Sequence, residues 1–455
     1  MSIWERANTI LERVQPVSAR GVVTDVTGLI IEGNGPAVGV GATCVIRQGD
    51  QQVMAQVVGF RKDRILLMPL EQLHGIAPGA NIIAHGEGAE FLVSEKLLGR
   101  VITPLGEPLD GGPPIIDGEE APLFRNPPSP LLRERISQTY DTGIKAVNTM
   151  LTIGVGQRVA IMAGSGVGKS TFLGMIAKHA RSSINVIALV GERGREVREF
   201  VERDLGPEGM ARSVVIVATS DTSALLRIRA AFVATAIAEY FRDRGDTVAL
   251  MLDSITRFCM AQREIGLAVG EPPSTNGYTP SVFAMLPKLM ERAGTTTGTG
   301  SITGFYTVLV EGDDMNEPIA DAVRGILDGH IILSRSLASK GHYPAIDILQ
   351  SVSRLMPEIV DEDTMNLAYK ARTVLADYKE AEDLITIGAY KPGQNPRVDS
   401  AVRHIEMLND FLRQAPNEKY SMNECMTMLN AVFDNSSSAS FAGRQGVQQI
   451  ERPVQ

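Results

Sequence analysis

Residues 163–170, Ala-Gly-Ser-Gly-Val-Gly-Lys-Ser, have the types and the spacing needed to hold a polyphosphate. Their glycines let the backbone bend so that successive N–H groups can point at one anion. Lys169 can reach the β- and γ-phosphates of a nucleotide, and the hydroxyl of Ser170 can ligate Mg²⁺. The pattern therefore predicts a loop that binds a nucleotide together with its magnesium ion.

Two elements of different periodicity must position this loop. Residues 159–162 form an apolar run, and apolar residues recur at helical spacing from Phe172 onward. Strand, glycine loop, Lys-Ser and helix is the layout of a P-loop, in which the helix N-terminus adds a partial positive charge. Ala163 occupies the first glycine position, and an ordinary glycine-rich turn is the alternative interpretation. The predicted ATP-binding residues here are Gly164, Ser165, Gly166, Val167, Gly168, Lys169, Ser170 and Thr171.

A carboxylate at the end of another apolar strand supplies the next group. Residues 248–252 are apolar and end in Asp253, which can hold Mg²⁺ through water. Many NTPases place a glutamate directly after this aspartate as the catalytic base, but Ser254 stands there in this chain. The base that activates water must therefore come from elsewhere.

The predicted base is Glu192, which follows the apolar run at residues 186–190. Parallel strands present their carboxyl ends to a ligand, so Glu192 is placed to face the γ-phosphate. Arg193, the next residue, can then stabilise the charge on that phosphate. The alternative interpretation is a surface charge cluster that caps a helix predicted at residues 196–204.

Arg354 lies far along the chain, after Ser351-Val352-Ser353 and near the end of the predicted nucleotide-binding domain. Ring-forming ATPases often supply an arginine from the neighbouring subunit to the transferring phosphate. On position and residue type, an arginine finger and a solvated loop residue are equally good interpretations of Arg354.

Composition limits the class of protein. The chain has 455 residues, enough for two or three domains, with 44% hydrophobic and 21% charged residues as in soluble globular proteins. Its net charge of −9 gives no basic surface for a nucleic-acid partner. Three distant cysteines indicate neither disulfides nor zinc. We expect a cytoplasmic protein with no signal peptide and no transmembrane segment.

The order of elements predicts a multidomain α/β protein. Six short apolar runs between residues 20 and 87 predict a small β-barrel, and alternating strands and helices predict a central domain with a mainly parallel sheet. The predicted ranges are 1–18 for an amphipathic docking helix, 19–90 for the β-barrel, 91–357 for the P-loop ATPase domain with an extended connector at 98–136, 358–434 for a helical domain and 435–455 for a disordered tail. The helix at residues 2–16 either docks a partner or packs on its own domain.

Several stretches in a fixed order identify a family resemblance. They are residues 163–170, Gly-Glu-Arg-Gly-Arg-Glu-Val at 191–197, Asp-Ser-Ile-Thr-Arg-Phe at 253–258, Tyr-Thr-Pro-Ser-Val-Phe at 278–283, Glu-Arg-Ala-Gly at 291–294, Glu-Gly-Asp-Asp at 311–314 and Ile-Leu-Asp-Gly-His-Ile-Ile-Leu-Ser-Arg at 326–335. Across residues 18–433 the chain resembles the type III secretion ATPases, and the flagellar protein-export ATPases most of all. These proteins are relatives of the α and β subunits of rotary ATP synthases, which implies a RecA-like central domain.

The resemblance implies ATP and Mg²⁺ as cofactors and a role for each matching residue. Lys169, Glu192, Arg193 and Arg354 match catalytic residues, Arg354 as the arginine finger. Ser170 and Asp253 match the magnesium ligands, the latter through water. Tyr343 matches the aromatic residue that stacks on adenine, and Phe411 completes that pocket.

The resemblance also implies partners. It implies a homohexamer associated peripherally with the inner-membrane export apparatus, where ATP hydrolysis helps to release chaperones and to unfold and export substrates. A stator-like regulator is expected at the N-terminal helix, and a coiled-coil stalk protein is expected in the central pore, against the loop at residues 270–278.

Alternatives remain within and outside the family. The sequence of residues 59–79 favours a flagellar ATPase over a virulence-type injectisome ATPase, on resemblance. A hexameric RNA-translocating ATPase would share the core, but the barrel region has a single aromatic residue, Phe60, and an acidic excess. Glu192 and Arg354 argue against a ring subunit that does not hydrolyse ATP.

Overall fold

The computed structural model describes residues 20–71, 75–86, 90–310, 312 and 314–434. The helix expected at residues 2–16 and the tail expected at 435–455 lie outside this part. The chain forms two compact units, each built from segments that are separate in sequence. The first holds the described residues up to Arg135, Val155–Ser165 and Ser182–Asp328, and the second holds Ile136–Gly154, Gly166–Arg181 and the described residues from Gly329 onward.

The strands of the described part are β1 (Arg20–Thr27), β2 (Ile30–Asn34), β3 (Thr43–Gln48), β4 (Gln51–Arg61), β5 (Arg64–Pro69), β6 (Asn81–Gly86), β7 (Glu90–Val93), β8 (Val101–Ile102), β9 (Glu119–Pro122), β10 (Thr139–Tyr140), β11 (Ile153–Gly154), β12 (Arg158–Ala163), β13 (Ile184–Glu192), β14 (Ser213–Thr219), β15 (Thr247–Asp253), β16 (Gly294–Thr295), β17 (Ser301–Leu309), β18 (Gly329–Leu333) and β19 (Val352–Ser353).

The α-helices of the same part are α1 (Lys145–Met150), α2 (Lys169–His179), α3 (Gly194–Glu199), α4 (Gly206–Ala211), α5 (Ala224–Arg242), α6 (Ile255–Val269), α7 (Pro280–Met290), α8 (Pro318–Ile326), α9 (Arg335–Ser339), α10 (Met356–Ile359), α11 (Glu362–Thr386), α12 (Pro396–Leu412) and α13 (Met422–Phe433). A π-helix, Phe200–Leu205, lies between α3 and α4.

The first unit begins with a closed six-stranded barrel in the order β1-β2-β5-β4-β3-β6. Buried residues alternate with more exposed ones along its strands, as at Val53, Ala55 and Val57 of β4. This period of two places one set of side chains inside the barrel and the other on its surface. The predicted barrel is confirmed.

After the barrel in the sequence, six strands of the first unit form a parallel sheet in the order β12-β17-β15-β13-β14-β8. All of β13 except its last residue is buried, as expected for a strand covered on both faces. Helices α5 and α6 pack on this sheet. The predicted mainly parallel sheet is confirmed, and its carboxyl edge carries Glu192 and Asp253 at the ends of β13 and β15.

The connector predicted as extended at residues 98–136 contains strand structure. Val101 and Ile102 form β8 beside β14, and the flanking backbone bonds Gly99 N to Ser213 O at 2.8 Å and Val215 N to Arg100 O at 3.0 Å. The reason is that β14 would otherwise end the sheet with unpaired backbone groups. A two-residue strand is too short to leave a periodic pattern in the sequence.

The helix predicted at residues 196–204 is divided in the structure. Helix α3 ends at Glu199 and the π-helix follows, with Phe200, Asp204 and Leu205 buried. The wider π-turn brings residues four and five positions apart onto one face, so all three can face inward. Gly206 then ends the segment with a φ of +60°.

The second unit is mainly helical. Helices α11, α12 and α13 pack together, which confirms the predicted C-terminal helical domain. The side chain of Gln414, just after α12, donates to Gly143 O at 2.8 Å and accepts from Lys145 N at 2.8 Å. These bonds join the end of α12 to the segment that begins α1.

Candidate active site

The glycines of the predicted P-loop have the backbone geometry that their role requires. Gly166 and Gly168 have φ values of +79° and +94°, which side chains with a Cβ rarely adopt. Gly168 caps α2, and the first N–H groups of a helix point out of its N-terminus, here just after Gly168. Helix α2 therefore begins as an anion-binding terminus.

Ala163 departs from the usual P-loop pattern without disturbing the backbone. It is the last residue of β12, it is buried, and it pairs in register with Leu309 of β17. Among described residues other than glycine, only Lys62 and Asn276 have positive φ, so Ala163 has an ordinary strand conformation. A Cβ is therefore accommodated at this position.

Glu192 ends β13 at a bulge. The register between β13 and β14 shifts between Val190 and Glu192, and Gly191 between them has a φ of +72°. A bulge interrupts the alternation of a strand and re-aims the next side chain. A Cβ on Gly191 would lie 2.9 Å from the Cβ of Arg257, so only glycine lets α6 approach this closely.

The charged residues after Glu192 lie on the surface. Arg193 is 81% exposed and 3.6 Å from Glu196, and Arg195 is 87% exposed and 2.7 Å from Glu199. Glu196 and Glu199 thus form the helix-surface ion pairs of the alternative interpretation, while Glu192 belongs to the strand before the helix. The surface-cluster interpretation therefore applies to Glu196 and Glu199, and the catalytic role of Glu192 stays a prediction.

Asp253 is buried at the end of β15, at 2% exposure. Its Oδ1 accepts a 2.7 Å hydrogen bond from the hydroxyl of Thr307 on the neighbouring strand β17. Ser254 occupies the position at which many NTPases have the catalytic glutamate. It caps α6 by accepting a hydrogen bond from Arg257 N at 3.3 Å. Since β13 and β15 are adjacent and parallel, Glu192 and Asp253 share one edge of the sheet.

Arg257 belongs to the Asp-Ser-Ile-Thr-Arg-Phe stretch at residues 253–258, but no role was predicted for it from the sequence. It lies in the first turn of α6 against Gly191, and its Nε is buried without a hydrogen-bond partner. A buried guanidinium N–H without a partner makes Arg257 a candidate contact for a ligand. The signal available in the sequence was its position four residues after Asp253.

Tyr343 lies beside the P-loop within the second unit. A Cβ on Gly168 would be 3.5 Å from Cε1 of its ring, and the side chain is 45% exposed. Its carbonyl accepts from Gln414 N at 2.9 Å, which fixes it to the residues after α12. Phe411, on α12, is 5% exposed, with the ammonium of Lys145 5.6 Å from its ring. The ring of Tyr343 is therefore accessible, whereas Phe411 lies inside.

Arg354 follows β19 directly and is exposed. The strand before it is anchored, because Ser353 Oγ donates to Thr152 O at 2.7 Å and Ser351 O accepts from Arg372 at 3.0 Å. Arg354 therefore lies at the surface, directly after a backbone segment that is held by hydrogen bonds.

The donors of the predicted magnesium site fit that ion. Ser170 and Asp253 offer oxygen atoms, which Mg²⁺ prefers, and Mg²⁺ bound with a nucleotide needs only one or two protein ligands. Within the described residues, no three His, Cys, Asp or Glu side chains form a metal-binding group. No helix of this part is long and apolar enough to span a membrane.

Comparison with known proteins decides the family. Residues 143–353 match the ATP synthase alpha/beta family, nucleotide-binding domain, and residues 23–86 match the β-barrel domain of that family. Residues 360–431 match the T3SS EscN ATPase C-terminal domain. The flagellum-specific ATP synthase of Bacillus subtilis (strain 168) is 51% identical over 430 residues, covering 93% of this chain and 98% of that protein.

The chain belongs to the type III export ATPases of the ATP synthase α/β family. This export ATPase is also 48% identical over 418 residues to the type 3 secretion system ATPase of Xanthomonas euvesicatoria, covering 91% of the chain and 94% of that protein. Its fold matches assembled EscN from enteropathogenic E. coli with a TM-score of 0.87 and 43% identity, over 91% of this chain and all of that one. EscN has also been solved in complex with its central stalk EscO, at a TM-score of 0.84.

Proposed function

We propose that this ATPase works as a homohexameric ring at the cytoplasmic base of a flagellar type III export apparatus. Its turnover there aids chaperone release, unfolding and export of flagellar proteins. The observation that carries the proposal is the shared carboxyl edge of Glu192 and Asp253 in the sheet whose strand β12 leads into the P-loop. The flagellar assignment over the virulence-type injectisome is supported by the higher identity to the flagellum-specific ATP synthase of Bacillus subtilis, 51% against 48% for the type 3 secretion system ATPase of Xanthomonas euvesicatoria.

Each site residue has a proposed role. Lys169 and the loop residues Gly164–Thr171 hold the phosphates of ATP. Ser170 and, through water, Asp253 are the proposed ligands of Mg²⁺, which neutralises phosphate charge when bound. Tyr343 stacks on the adenine, and Phe411 supports that pocket from within α12.

Glu192 is the proposed general base. Its carboxylate would accept a proton from the attacking water, which a positioned base accelerates by about 10²–10⁴-fold. Arg193 follows Glu192 in the chain and Arg257 packs against Gly191, and we propose that both stabilise charge on the γ-phosphate.

The placement of Arg354 supports the proposed ring. An exposed arginine that follows a hydrogen-bonded backbone segment is well placed to act as an arginine finger, which contacts the phosphates bound by the next copy. The assembled state of EscN supports the same arrangement.

Further partners follow from the family. The complex of EscN with EscO supports a coiled-coil stalk in the pore of the ring. The contact is proposed at the loop of residues 270–278, where residues 272–276 are exposed. Residues 2–16 are the proposed site of a stator-like regulator, and the export gate, chaperones and substrates complete the set.

The experiment that tests the proposal measures mass and turnover of the full chain. With Mg²⁺ and a non-hydrolysable ATP analogue we expect the mass of six copies, and with ATP we expect Mg²⁺-dependent hydrolysis. A mixture of Arg354→Ala and Lys169→Ala chains should regain part of the turnover that each lacks alone, because one interface in the mixed ring is complete. Absence of hydrolysis would refute the enzyme, and absence of rescue would refute action between copies.

A further inference from the structure

We infer that Thr307 is a positioning residue of the magnesium site, whose hydroxyl fixes the orientation of the Asp253 carboxyl. Thr307 lies on β17 and is fully buried, and none of the motifs points to it. The inference rests on the proposed ATPase function and adds a residue that sets how tightly Mg²⁺ is held with the nucleotide.

The hydrogen bond is specific in geometry. Thr307 Oγ1 is 2.7 Å from Asp253 Oδ1 and 3.3 Å from the carbonyl oxygen of Leu252. A hydroxyl has one proton to donate, so the shorter contact with the carboxylate takes it. The strand register pairs Leu252 with Tyr306, which makes Asp253 and Thr307 the next residues on neighbouring strands.

A second threonine fixes the backbone that follows Asp253. Leu309 N, at the end of β17, donates to Thr256 Oγ1 of α6 at 2.9 Å. The turn from β15 into α6 is therefore held at two points by β17. With its backbone fixed in this way, the carboxyl of Asp253 has its orientation set by the bond to Thr307.

The position of β17 adds a link to the P-loop. Thr307 pairs with Ile161 of β12, two residues before the strand ends at Ala163. Strand β17 thus lies between β12, which leads into the phosphate loop, and β15, which ends at Asp253. Residues that orient a direct metal ligand through a hydrogen bond change metal affinity by about 10–100-fold when they are lost, and Asp253, which holds the ion through water, belongs at the lower end of that range.

Three variants separate positioning from packing. Thr307→Val keeps the shape and removes the donor, and Thr307→Ser keeps the donor. Thr303→Val is the matched control, because Thr303 lies on the same face of β17, is fully buried, and accepts from Gly156 N at 3.0 Å away from Asp253. The readout is the affinity of the full chain for a fluorescent ADP analogue, measured with Mg²⁺ and with a chelator.

We expect Thr307→Val to reduce the gain in affinity that Mg²⁺ provides by about 10-fold, with binding in the presence of chelator unchanged. Thr307→Ser and Thr303→Val should keep the gain of the unmodified chain. An unchanged gain in Thr307→Val, or an equal loss in Thr303→Val, overturns the inference. If Thr307→Val does not fold, Thr307→Ala against Thr303→Ala makes the same comparison. A failure of the unmodified chain to hydrolyse ATP would instead refute the proposed function.

Discussion

The two edges of the parallel sheet use the same charged residue types in opposite ways. At the amino edge, Arg292 is fully buried and binds both carboxylate oxygens of Glu239 at 2.9 and 2.7 Å. Arg158, at the start of β12, makes a similar bidentate ion pair with Asp328, with hydrogen bonds of 3.0 and 3.1 Å. At the carboxyl edge, Arg193 is 81% exposed beside the half-buried Glu192.

The difference shows what each edge is built to do. At the amino edge, each arginine is held by two bonds to one carboxylate, and such ion pairs fix a single structure. Arg292 also donates to Leu123 O and so holds the connector on the sheet. A charge that projects from the end of a strand can instead meet a ligand. The charged motifs at residues 191–197 and 291–294 look alike in sequence, and burial separates their roles.

The largest effect is expected at the carboxyl edge. Glu192→Gln should lower turnover by between about 10² and 10⁴-fold, because the amide cannot accept the proton of the attacking water. Affinity for Mg·ATP and the free energy of unfolding should stay the same. Single-turnover hydrolysis, nucleotide binding and urea unfolding measure these three quantities. Normal turnover would remove Glu192 from the mechanism.

The next effect is expected at the amino edge, on stability. Arg292→Met should lower the free energy of unfolding by about 3–5 kcal/mol, because Glu239 is left as a buried charge without its partner. Urea unfolding measures the loss. The double variant Arg292→Met with Glu239→Leu removes both charges and should recover most of it. A single variant as stable as the unmodified chain would break the distinction between the edges.

A matched pair of exposed arginines sharpens the comparison within one edge. Arg193→Ala should lower turnover by about 10²-fold if its guanidinium stabilises phosphate charge. Arg195→Ala should leave turnover unchanged, although Arg195 is at least as exposed and is paired with Glu199. Steady-state hydrolysis of both variants decides the matter, and equal losses would mean that the helix-surface charges act together.

The smallest effect concerns Asp110, a paired carboxylate in the segment after β8. The hydrogen bonds from Arg100, at 2.6 and 2.9 Å, hold the pKa of Asp110 well below its ordinary value. Because the folded-state pKa is the lower one, this pair stabilises the fold above about pH 4 and loses its effect as the pH falls further. Asp110→Asn should therefore cost between about 0.5 and 1 kcal/mol at pH 7, because solvent screens this surface pair, and progressively less below pH 4. A cost that does not change with pH in urea unfolding would contradict this account.

Much of the architecture could be predicted because it depends on local periodicity. Alternation predicted the barrel strands, and apolar runs predicted the strands that end in Glu192 and Asp253. The division of the predicted helix at Glu199 could not be read, since a π-turn differs from an α-turn by one residue and depends on what is buried.

Contacts between distant segments were also beyond the sequence. Thr307 meets Asp253 across 54 positions, and Tyr343 lies beside Gly168 across a longer separation still. Residue types do not reveal such pairs, because the register between strands and the packing of helices select them. The same holds for Arg292, whose partner Glu239 is 53 positions away.

The closed barrel has a consequence for solubility. An open sheet exposes backbone N–H and C=O groups that can pair with another molecule and begin aggregation. In the barrel, β1 pairs with both β2 and β6, so the circle of strands has no end at which a foreign strand could add. Copies brought side by side can therefore meet through side chains on their barrels without the risk of joining into a continuous, fibre-like sheet.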